Sequence, residues 1–522
     1  MEASHSSYEI NTSLAIPEQS VYEILHQSAN DYPNRIAVID GEKQLTYDQL
    51  LQAVQGFASC LNEKGVRKGA RVAFMLPNCL EYIVSFFAVQ RLGGTVVQVN
   101  HLYQSVELDL IINDSRPSWI ICNRAQTEKL EQTEWNRRLN ILLIEEELSY
   151  EKLFGYVPMA FSPASINWEE DVAVLQYTGG TTGKSKGAMI THKNIVSNIH
   201  QSFAVFSSVL NKGVEITLGV SPLSHAMALN NMNMTILIAG TYVILEKFKI
   251  NSVILAFRKH RPTVFTGSPT MYISILHFSD LKDSDLTSLK ICTSGSAPLP
   301  LEVRRELEEK SGARILEGFG QTEATTATHR TPLIGKQKLG SIGVPIPLTL
   351  AKIMDLENGE KELPVGEPGE LVVKGPQVMK GYWNNEAATA ETIRNSWLYT
   401  GDIAIKDEDG HYFIVGRKKD MIISGGYNIY PTEIEEVLYA HDAIAEVCVF
   451  GVPDEYLGEK VVAAIVPIED KTIDSTQLLA WCNEMIARYK VPRELNIRKT
   501  LPKTTVGKIL RRQLINEYIE TE

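Results

Sequence analysis

VLQYTGGTTGKSKGAMITHKN, at residues 174–194, predicts a strand, a loop rich in glycine, threonine and lysine, a second strand at GAMI and a helix from about His192. Residues 183–185, GKS, match the end of the P-loop signature, but the first glycine of that signature would stand where this chain has Thr178. Glycines can turn backbone N–H groups inward, and hydroxyls and lysines add further donors. The composition therefore predicts a polyphosphate site, either a degenerate P-loop or a different phosphate-binding loop.

The bulk composition restricts the class of protein. A chain of 522 residues exceeds what one hydrophobic core usually supports, so we expect at least two domains. The formal net charge of −12 argues against a nucleic-acid partner. The six cysteines are far apart, with no Cys or His at metal-ligand spacing, and the N-terminus lacks the apolar stretch of a signal peptide. We therefore expect a reduced, cytoplasmic protein.

Hydrophobic patterning predicts how the domains are organised. Short β-branched runs alternate with helical patterns, which favours an α/β fold with helices on both faces of mainly parallel sheets. The uncharged segment 216–245 is too polar for a transmembrane helix and suits a buried core that includes a substrate wall. Residues from about 339 to 416 read as a small β-rich subdomain. We place a large N-terminal domain at 1–418 and a small α+β domain at 419–522.

One helix of the small domain has a specific sequence signal. In TEIEEVL, Thr432 and Glu435 have the spacing of a capping box. Ile434, Val437 and Leu438 would then lie on one face of the helix. We therefore expect a helix with Thr432 as its N-cap.

Further segments follow in a fixed order along the chain. They are SGSAPLP at 294–300, EGFGQTEA at 317–324, GELVVKGPQVMKGYW, YTGDIAIKDEDGHYFIVGRKKDMIISGGYNIYPTEIE and PKTTVGKILRR. Together with the first loop, which is similar to [ST]-[SG]-G-T-T-G-x-x-K-G, they resemble the adenylate-forming enzymes. That family includes acyl-CoA synthetases, aryl-CoA ligases, luciferases and peptide-synthetase adenylation domains. The chain looks most like the fatty-acyl-CoA synthetases.

The resemblance implies two half-reactions at one site. A carboxylate first attacks the α-phosphate of ATP·Mg²⁺ to give an acyl-adenylate and pyrophosphate. The thiol of coenzyme A then displaces AMP and forms a thioester. In these roles Thr322 would donate to the α-phosphate and Glu323 would supply an oxygen ligand to Mg²⁺. Asp402 would accept from the ribose hydroxyls with Arg417 beside it, and Phe319 would stack on adenine.

The family's motifs also assign the remaining residues of the site. The implied nucleotide-binding residues are Thr178, Gly179, Gly180, Thr181, Thr182, Gly183, Lys186, Gly295, Ser296, Ala297, Glu317, Gly318, Phe319, Gly320, Asp402 and Arg417. The assignment makes Lys186 the family's lysine and leaves the GKS match a coincidence.

The resemblance further implies a mobile small domain. Lys508 would bridge the incoming carboxylate and the α-phosphate in the first half-reaction. Lys419 would be the hinge. Rotation there would move Lys508 out of the active site and bring Gly425 and Gly426 into it. Without side chains, those two glycines would leave room for the pantetheine arm of coenzyme A.

The segment SPLSHAMALNN bears on which acid is used. Amino-acid adenylation domains have an aspartate here, and this chain has none between Ser221 and Asn233. An uncharged acid is therefore favoured, and the leading hypothesis is a fatty-acid:CoA ligase. An aryl-acid or other carboxylate ligase is second. His225 is either a gate of the acyl or pantetheine channel or a hydrogen-bonded core histidine.

The sequence also leaves open the type of nucleotide chemistry and the thiol acceptor. A P-loop-type NTPase or nucleotide-regulated binding protein would release ADP and phosphate, whereas an adenylating enzyme releases AMP and pyrophosphate. An acyl carrier protein could replace coenzyme A as the thiol acceptor. The oligomeric state and peripheral membrane contact are equally open.

Overall fold

The computed structural model describes residues 14–133, 135, 140–150, 152–156, 162–178, 185–295, 299–504 and 509–521. The chain divides into two compact units. The first comprises Met1–Leu350 and Val373–Leu398, and the second comprises Ala351–Val372 and Tyr399–Glu522.

The described residues contain α-helices of 4 to 17 residues. They are α1 (Val21–Asp31), α2 (Tyr47–Glu63), α3 (Leu80–Arg91), α4 (Ser105–Ser115), α5 (Thr127–Glu131), α6 (Ile144–Glu147), α7 (His192–Phe206), α8 (Ala226–Leu237), α9 (Ile250–His260), α10 (Pro269–Leu276), α11 (Asp283–Leu286), α12 (Leu301–Ser311), α13 (Glu386–Thr392), α14 (Pro431–Tyr439), α15 (Ser475–Met485) and α16 (Arg511–Thr521). Single 3₁₀ turns cover Arg124–Gln126, Thr322–Ala324 and Arg488–Lys490.

The strands are numbered in chain order in the same way. They are β1 (Ile36–Asp40), β2 (Lys43–Thr46), β3 (Arg71–Met75), β4 (Thr95–Gln98), β5 (Trp119–Cys122), β6 (Asn140–Leu143), β7 (Val172–Thr178), β8 (Lys186–Thr191), β9 (Ile216–Gly219), β10 (Thr241–Ile244), β11 (Val264–Gly267), β12 (Ile291–Ser294), β13 (Arg314–Gly320), β14 (Ala327–Arg330), β15 (Val344–Pro345), β16 (Leu350–Met354), β17 (Gly369–Lys374), β18 (Gly381–Tyr382), β19 (Ile393–Arg394), β20 (Trp397–Lys406), β21 (Tyr412–Arg417), β22 (Ile422–Ser424), β23 (Tyr427–Ile429), β24 (Ile444–Asp454), β25 (Gly458–Pro467) and β26 (Glu494–Ile497).

The first unit contains two large sheets with parallel centres. One has nine strands in the order β15-β14-β13-β12-β11-β9-β10-β1-β2, and it is parallel from β13 to β1. The other has seven strands in the order β18-β8-β7-β4-β3-β5-β6, and it is parallel from β7 to β6. Antiparallel strands complete both edges of the first sheet and the β18 edge of the second.

Helices cover both faces of these sheets, as the alternating pattern predicts. Every residue of α3 is buried. One core cluster contains residues of α1, α2, α3, α7 and α8 together with strands of both sheets, such as Phe74 and Tyr242. A second cluster packs α9, α10 and α12 on the nine-stranded sheet, and a third packs α4 on the seven-stranded sheet. The predicted α/β architecture is confirmed.

Short strands dominate the part of the chain predicted to be β-rich. A five-stranded sheet has the order β16-β17-β20-β19, with β21 antiparallel to β20. Most of its residues belong to the second unit, whereas Leu350, the end of β17, all of β19 and the start of β20 belong to the first. The boundary predicted at 418/419 thus differs from the division into compact units, and it stays a prediction for the functional domains.

The rest of the second unit has an α+β fold built around one sheet. Strands β23-β22-β25-β24 are antiparallel, and β26 adds in parallel to β25. Side chains alternate along β24, so that Val447 and Val449 pack with α14 and α15. Cys448 and Phe450 pack with Leu514 of α16.

The predicted capping box is wrong. Helix α14 begins at Pro431, its N-cap is Tyr430, and no side chain caps it. Proline suits the first helical position because its φ is fixed and its missing N–H would be unpaired there. Glu435 is used elsewhere, since its carboxylate accepts from the Val449 N–H at 2.7 Å.

The segment 216–245 forms β9, α8 and β10 inside the first unit. Among the described helices, none has the length and apolar character needed to span a bilayer.

Candidate active site

The glycine-rich loop joins two antiparallel strands. Thr178, at the end of β7, lies opposite Lys186 at the start of β8, and the next helix begins only at His192. A P-loop leads from a strand directly into a helix. Of the two alternatives for this loop, the degenerate P-loop is therefore wrong. Gly179, Gly180, Thr181, Thr182 and Gly183 lie outside the described residues, and their phosphate contacts stay predictions.

Several predicted site segments leave the same end of the nine-stranded sheet. Strands β12 and β13 are parallel, with Ser294 opposite Glu317. Gly295 directly follows β12, and Glu317 to Gly320 are the last residues of β13. Crevices at the carboxyl ends of parallel strands are the usual ligand sites of open α/β sheets. Ser296 and Ala297 lie outside the described residues.

A chain of contacts connects the first loop with the predicted magnesium ligand. Lys186 places its Nζ 5.0 Å from the centre of the Tyr382 ring, and the Tyr382 hydroxyl donates to Glu323 Oε1 at 2.8 Å. Burial, followed by the Glu323 carboxylate, raises the pKa of Tyr382, so this hydroxyl keeps its proton. The structure thus brings Lys186 and Glu323 together through a tyrosine that sequence reasoning did not select.

The backbone just after Thr322 and Glu323 contains a strained residue. The next but one residue, Thr325, has φ +62° and ψ −56°, which a β-branched side chain rarely adopts. Its hydroxyl donates to the Gln377 carbonyl at 2.8 Å, and the side chain is buried. Such strain is typical of functional sites that surrounding contacts hold in place.

Two amide side chains of α7 form hydrogen bonds that hold this segment in place. Asn198 binds both backbone groups of Ala327, because Oδ1 accepts from the Ala327 N–H at 3.1 Å and Nδ2 donates to the Ala327 carbonyl at 2.9 Å. Gln201 donates to Gln377 Oε1 at 3.1 Å. All these amides are buried. Their polar character within α7 was the signal that could have marked them in the sequence.

Glycine at position 320 has a steric reason. A Cβ there would lie 1.4 Å from the carbonyl oxygen of Thr326. The neighbouring Phe319 ring makes an edge contact with the buried His329, with 6.2 Å between ring centres. Adenine stacking on Phe319 stays a prediction.

Glu317 takes part in the scaffold of the site. Its Oε2 accepts from the Leu299 N–H at 3.3 Å, and Arg304 Nη1 lies 3.7 Å from Oε1. Burial raises the pKa of Glu317, against the opposing effects of this hydrogen bond and of Arg304. The predicted contact between Glu317 and nucleotide stays a prediction.

The loop before His225 is held by three buried side chains from other elements. Asn78 donates to the Ser221 carbonyl at 2.9 Å and accepts from the Leu223 N–H at 2.7 Å. The Tyr82 hydroxyl lies 3.1 Å from the Leu223 carbonyl, and Gln176 donates to the Ser224 carbonyl at 2.8 Å.

His225 itself is the N-cap of α8. Its Nδ1 accepts from the Met227 N–H at 3.3 Å. The first turn of α8 also approaches other site segments. Thr326 Oγ1 donates to the Ala226 carbonyl at 3.2 Å, and Met227 Sδ would lie 3.8 Å from a Cβ at Gly295. His225 thus stands next to the predicted nucleotide segments, while its role as a gate stays a prediction.

The second unit holds the predicted ribose ligands. Asp402 of β20 is opposite Arg417 of β21, and Arg417 Nε lies 2.8 Å from Asp402 Oδ1. Asp402 is buried, with 2% of its surface exposed. An aspartate fixed by an arginine presents its carboxylate in one orientation, which suits binding of a vicinal diol.

The predicted hinge lies in a turn just after this pair. The Asp420 N–H donates to the Arg417 carbonyl at 3.0 Å, so Lys419 occupies the third position of a β-turn. Burial, and secondarily Arg417, lowers the pKa of Lys419. Arg511 Nη1 lies 2.6 Å from Asp420 and its Nη2 lies 2.6 Å from Glu435. Arg511 therefore connects α16 to the residue next to the predicted hinge, while Lys508 lies outside the described residues.

Gly425 and Gly426 form the two-residue turn between β22 and β23. Their φ values are +58° and +83°, and Ser424 pairs with Tyr427 on either side of them. A type I′ hairpin turn requires positive φ at both central residues, which glycine adopts without strain. The turn alone thus explains both glycines, and their contact with pantetheine stays a prediction.

The comparisons with known proteins agree with this arrangement. The chain belongs to the AMP-binding enzyme family, whose model matches residues 25–383. The family's C-terminal domain model matches residues 433–508.

Individual relatives cover nearly the whole chain. It is 41% identical to the long-chain-fatty-acid–CoA ligase of Bacillus subtilis (strain 168), over 97% of this chain and 96% of the relative. It is 36% identical to a feruloyl-CoA synthase of Amycolatopsis sp, over 93% of this chain and 96% of that protein. The crystal structure of ATP-bound MatB from Rhodopseudomonas palustris superposes with a TM-score of 0.89 at 30% identity, covering 96% and 99% of the two chains.

The hydrogen bond between Tyr382 and Glu323 yields a first prediction. Residues that orient a metal ligand typically contribute about 10–100-fold to metal affinity or activity. We expect Tyr382→Phe to raise the Mg²⁺ concentration for half-maximal pyrophosphate release about tenfold, because the carboxylate loses its donor. The phenyl ring retains the contact with Lys186, so the variant tests the hydroxyl alone. An unchanged Mg²⁺ titration would contradict the positioning role.

Proposed function

We propose that this protein is an ATP-dependent fatty-acid:CoA ligase that forms AMP and pyrophosphate. Membership of the AMP-binding enzyme family and similarity to long-chain-fatty-acid–CoA ligases support this reaction. The structural observation that carries the choice of acid is the cavity beside α8. Among the described residues lining it, all are apolar side chains, amides or a threonine, and none carries a charge. This lining offers no counter-charge to the ammonium group of an amino acid, which favours an uncharged acid.

The proposed roles follow the order of the reaction. The loop at 178–186 holds the phosphates, Asp402 with Arg417 holds the ribose, and Thr322 donates to the α-phosphate. Glu323 fits a magnesium site because its Oε1 is oriented by Tyr382 at 2.8 Å, and Mg²⁺ commonly binds one or two carboxylates together with substrate phosphates. Such an ion would neutralise phosphate charge during adenylation. Coenzyme A is the proposed thiol, and the proposed location is the cytoplasm.

The direct test of the proposal is product analysis. With ATP, Mg²⁺, a fatty acid and CoA all present, we expect AMP and acyl-CoA in equal amounts. An exchange assay between ATP and pyrophosphate over fatty, aryl and amino acids then ranks the acids. Strong exchange with amino acids and none with aliphatic acids would overturn the proposed acid class. Release of ADP and phosphate would overturn the reaction itself.

An aryl acid is the second candidate. The similarity to feruloyl-CoA synthase, at 36% identity, supports it. The same exchange panel separates the two, because a ligase specific for aryl acids gives no exchange with saturated fatty acids.

We further propose that residues 419–522 rotate as the small domain, with Lys419 as the hinge. A second prediction tests this rotation. Lys419→Pro restrains φ at 419 and the backbone of Lys418, so thioester formation should slow at least about tenfold while adenylate formation largely persists. Lys419→Ala is the matched control, because it removes the charge and keeps the backbone freedom. Single-turnover assays of both half-reactions measure the effect, and equal loss in both would remove the hinge assignment.

A further inference from the structure

The cavity beside α8 has an unusual polar wall. We call it the amide cavity, and its polar lining consists of Gln176 from β7, Asn230 and Asn233 from α8, and Thr325. Its remaining lining is apolar. The three amide side chains are almost fully buried, with 6%, 5% and 0% of their surface exposed.

All three amides present an acceptor. Gln176 Nε2 donates to the Ser224 carbonyl at 2.8 Å, and Asn233 Nδ2 donates to the Leu229 carbonyl at 2.9 Å. These bonds fix which end of the Gln176 and Asn233 amides is nitrogen. Within the described residues, Gln176 Oε1, Asn230 Oδ1 and Asn233 Oδ1 have no hydrogen-bond donor. The Thr325 hydroxyl already gives its proton to the Gln377 carbonyl.

A group of buried acceptors without donors is costly unless something supplies the donors. Leucine at the same helical positions would remove that cost. The wall carries no carboxylate, so an ammonium group or a metal ion would remain without a counter-charge there. A neutral O–H group has one proton to donate and adds no charge, so it can pair with one of these acceptors.

The cavity is also next to the proposed reacting groups. Ala226, which follows His225, lines it, and so does Thr325, two residues after Glu323. Gln176 stands two residues before Thr178. The cavity therefore adjoins three of the segments to which the reaction is assigned.

We propose that the amide cavity binds a hydroxyl group of the acid substrate, so that the enzyme prefers hydroxylated acids to unsubstituted acids of the same size. The inference rests on the proposed acid:CoA ligase function and narrows its substrate class. A site built to bind a hydroxyl rejects the analogue that lacks it, because the analogue leaves one more buried acceptor unpaired.

The test compares matched pairs of acids by kcat/KM for AMP formation. The pairs are dodecanoic acid with its β-hydroxy and ω-hydroxy derivatives, and cinnamic acid with para-hydroxycinnamic acid. We expect the wild type to favour the hydroxylated member of one pair by about tenfold or more. Asn233→Leu should lower that ratio about tenfold, mainly by loss of activity on the hydroxylated acid. Asn231→Leu is the matched control on the same helix, since Asn231 lines a different cavity, and it should leave the ratio unchanged.

The outcomes separate this inference from the proposed function. A wild-type ratio near unity for every pair, or an equal loss on both acids in Asn233→Leu, means that the amides bind only water and overturns the inference. If Asn233→Leu does not fold, the same ratio in Asn230→Leu decides. If no carboxylic acid supports AMP formation by the wild type, the proposed function fails together with the inference.

Discussion

The Lys508→Ala variant is expected to form acyl-adenylate about 10²–10³-fold more slowly than the wild type, a loss of about 3–4 kcal/mol in transition-state stabilisation. Negative charge builds up around the α-phosphate as the carboxylate approaches. A preorganised ammonium group stabilises that charge more than it stabilises bound ATP. Once the small domain has rotated, Lys508 would no longer face the phosphate. The variant should therefore convert supplied acyl-adenylate and CoA to thioester at nearly the wild-type rate.

Two single-turnover measurements, one for each half-reaction, decide this prediction. Lys503→Ala provides a control from the same segment, because Lys503 pairs with Glu446 at the surface and such pairs contribute little. It should change neither half-reaction. Normal adenylate formation by Lys508→Ala, or equal failure at both steps, would contradict the prediction. Lys508 would then be a basic surface residue or a structural one.

The architecture was predictable because each element buries a recognisable face. Continuous apolar runs such as RVAFM became β3 of a parallel sheet, where both faces are covered. The continuous apolar run from Val447 to Phe450 in β24 likewise suits a strand with helices packed on both faces. The start of α14 was predicted wrongly because Pro431 fixes the first helical position ahead of the Thr432 cap.

Only those residues of the candidate site that belong to a sequence motif could be predicted. Thr322 and Glu323 follow a recognisable strand end, whereas Tyr382 stands 59 positions away from Glu323 and reaches it through the pairing of β18 with β8. Asn198 approaches Ala327 across 129 positions. Periodicity shows that such polar residues are buried, but it cannot show which backbone segment they bind. These supporting contacts could therefore be identified only from the three-dimensional structure.

Those supporting contacts explain why Gly320 tolerates no side chain. A Cβ at this position would lie 1.4 Å from the Thr326 carbonyl oxygen and 2.5 Å from its carbonyl carbon. The Thr326 hydroxyl lies between two carbonyl oxygens, that of Thr325 at 2.5 Å and that of Ala226 at 3.2 Å, which restrains this residue. The next residue, Ala327, is bound at both ends by Asn198. The end of β13 must therefore shift to accommodate alanine, and Thr322 and Glu323 shift with it.

We expect Gly320→Ala to slow adenylate formation at least about 10²-fold, since a displacement of about 1 Å can cost that much when reacting groups must be aligned. Unlike Lys508→Ala, it should also slow thioester formation from supplied adenylate, because the same residues hold the AMP group in both steps. The melting temperature should fall as well. Gly295→Ala is the steric control, since among the described residues the nearest atom to its Cβ would be Met227 Sδ at 3.8 Å, and it should melt like the wild type. If Gly320→Ala keeps both its rates and its melting temperature, the contact of β13 with Thr326 does not position Thr322 and Glu323.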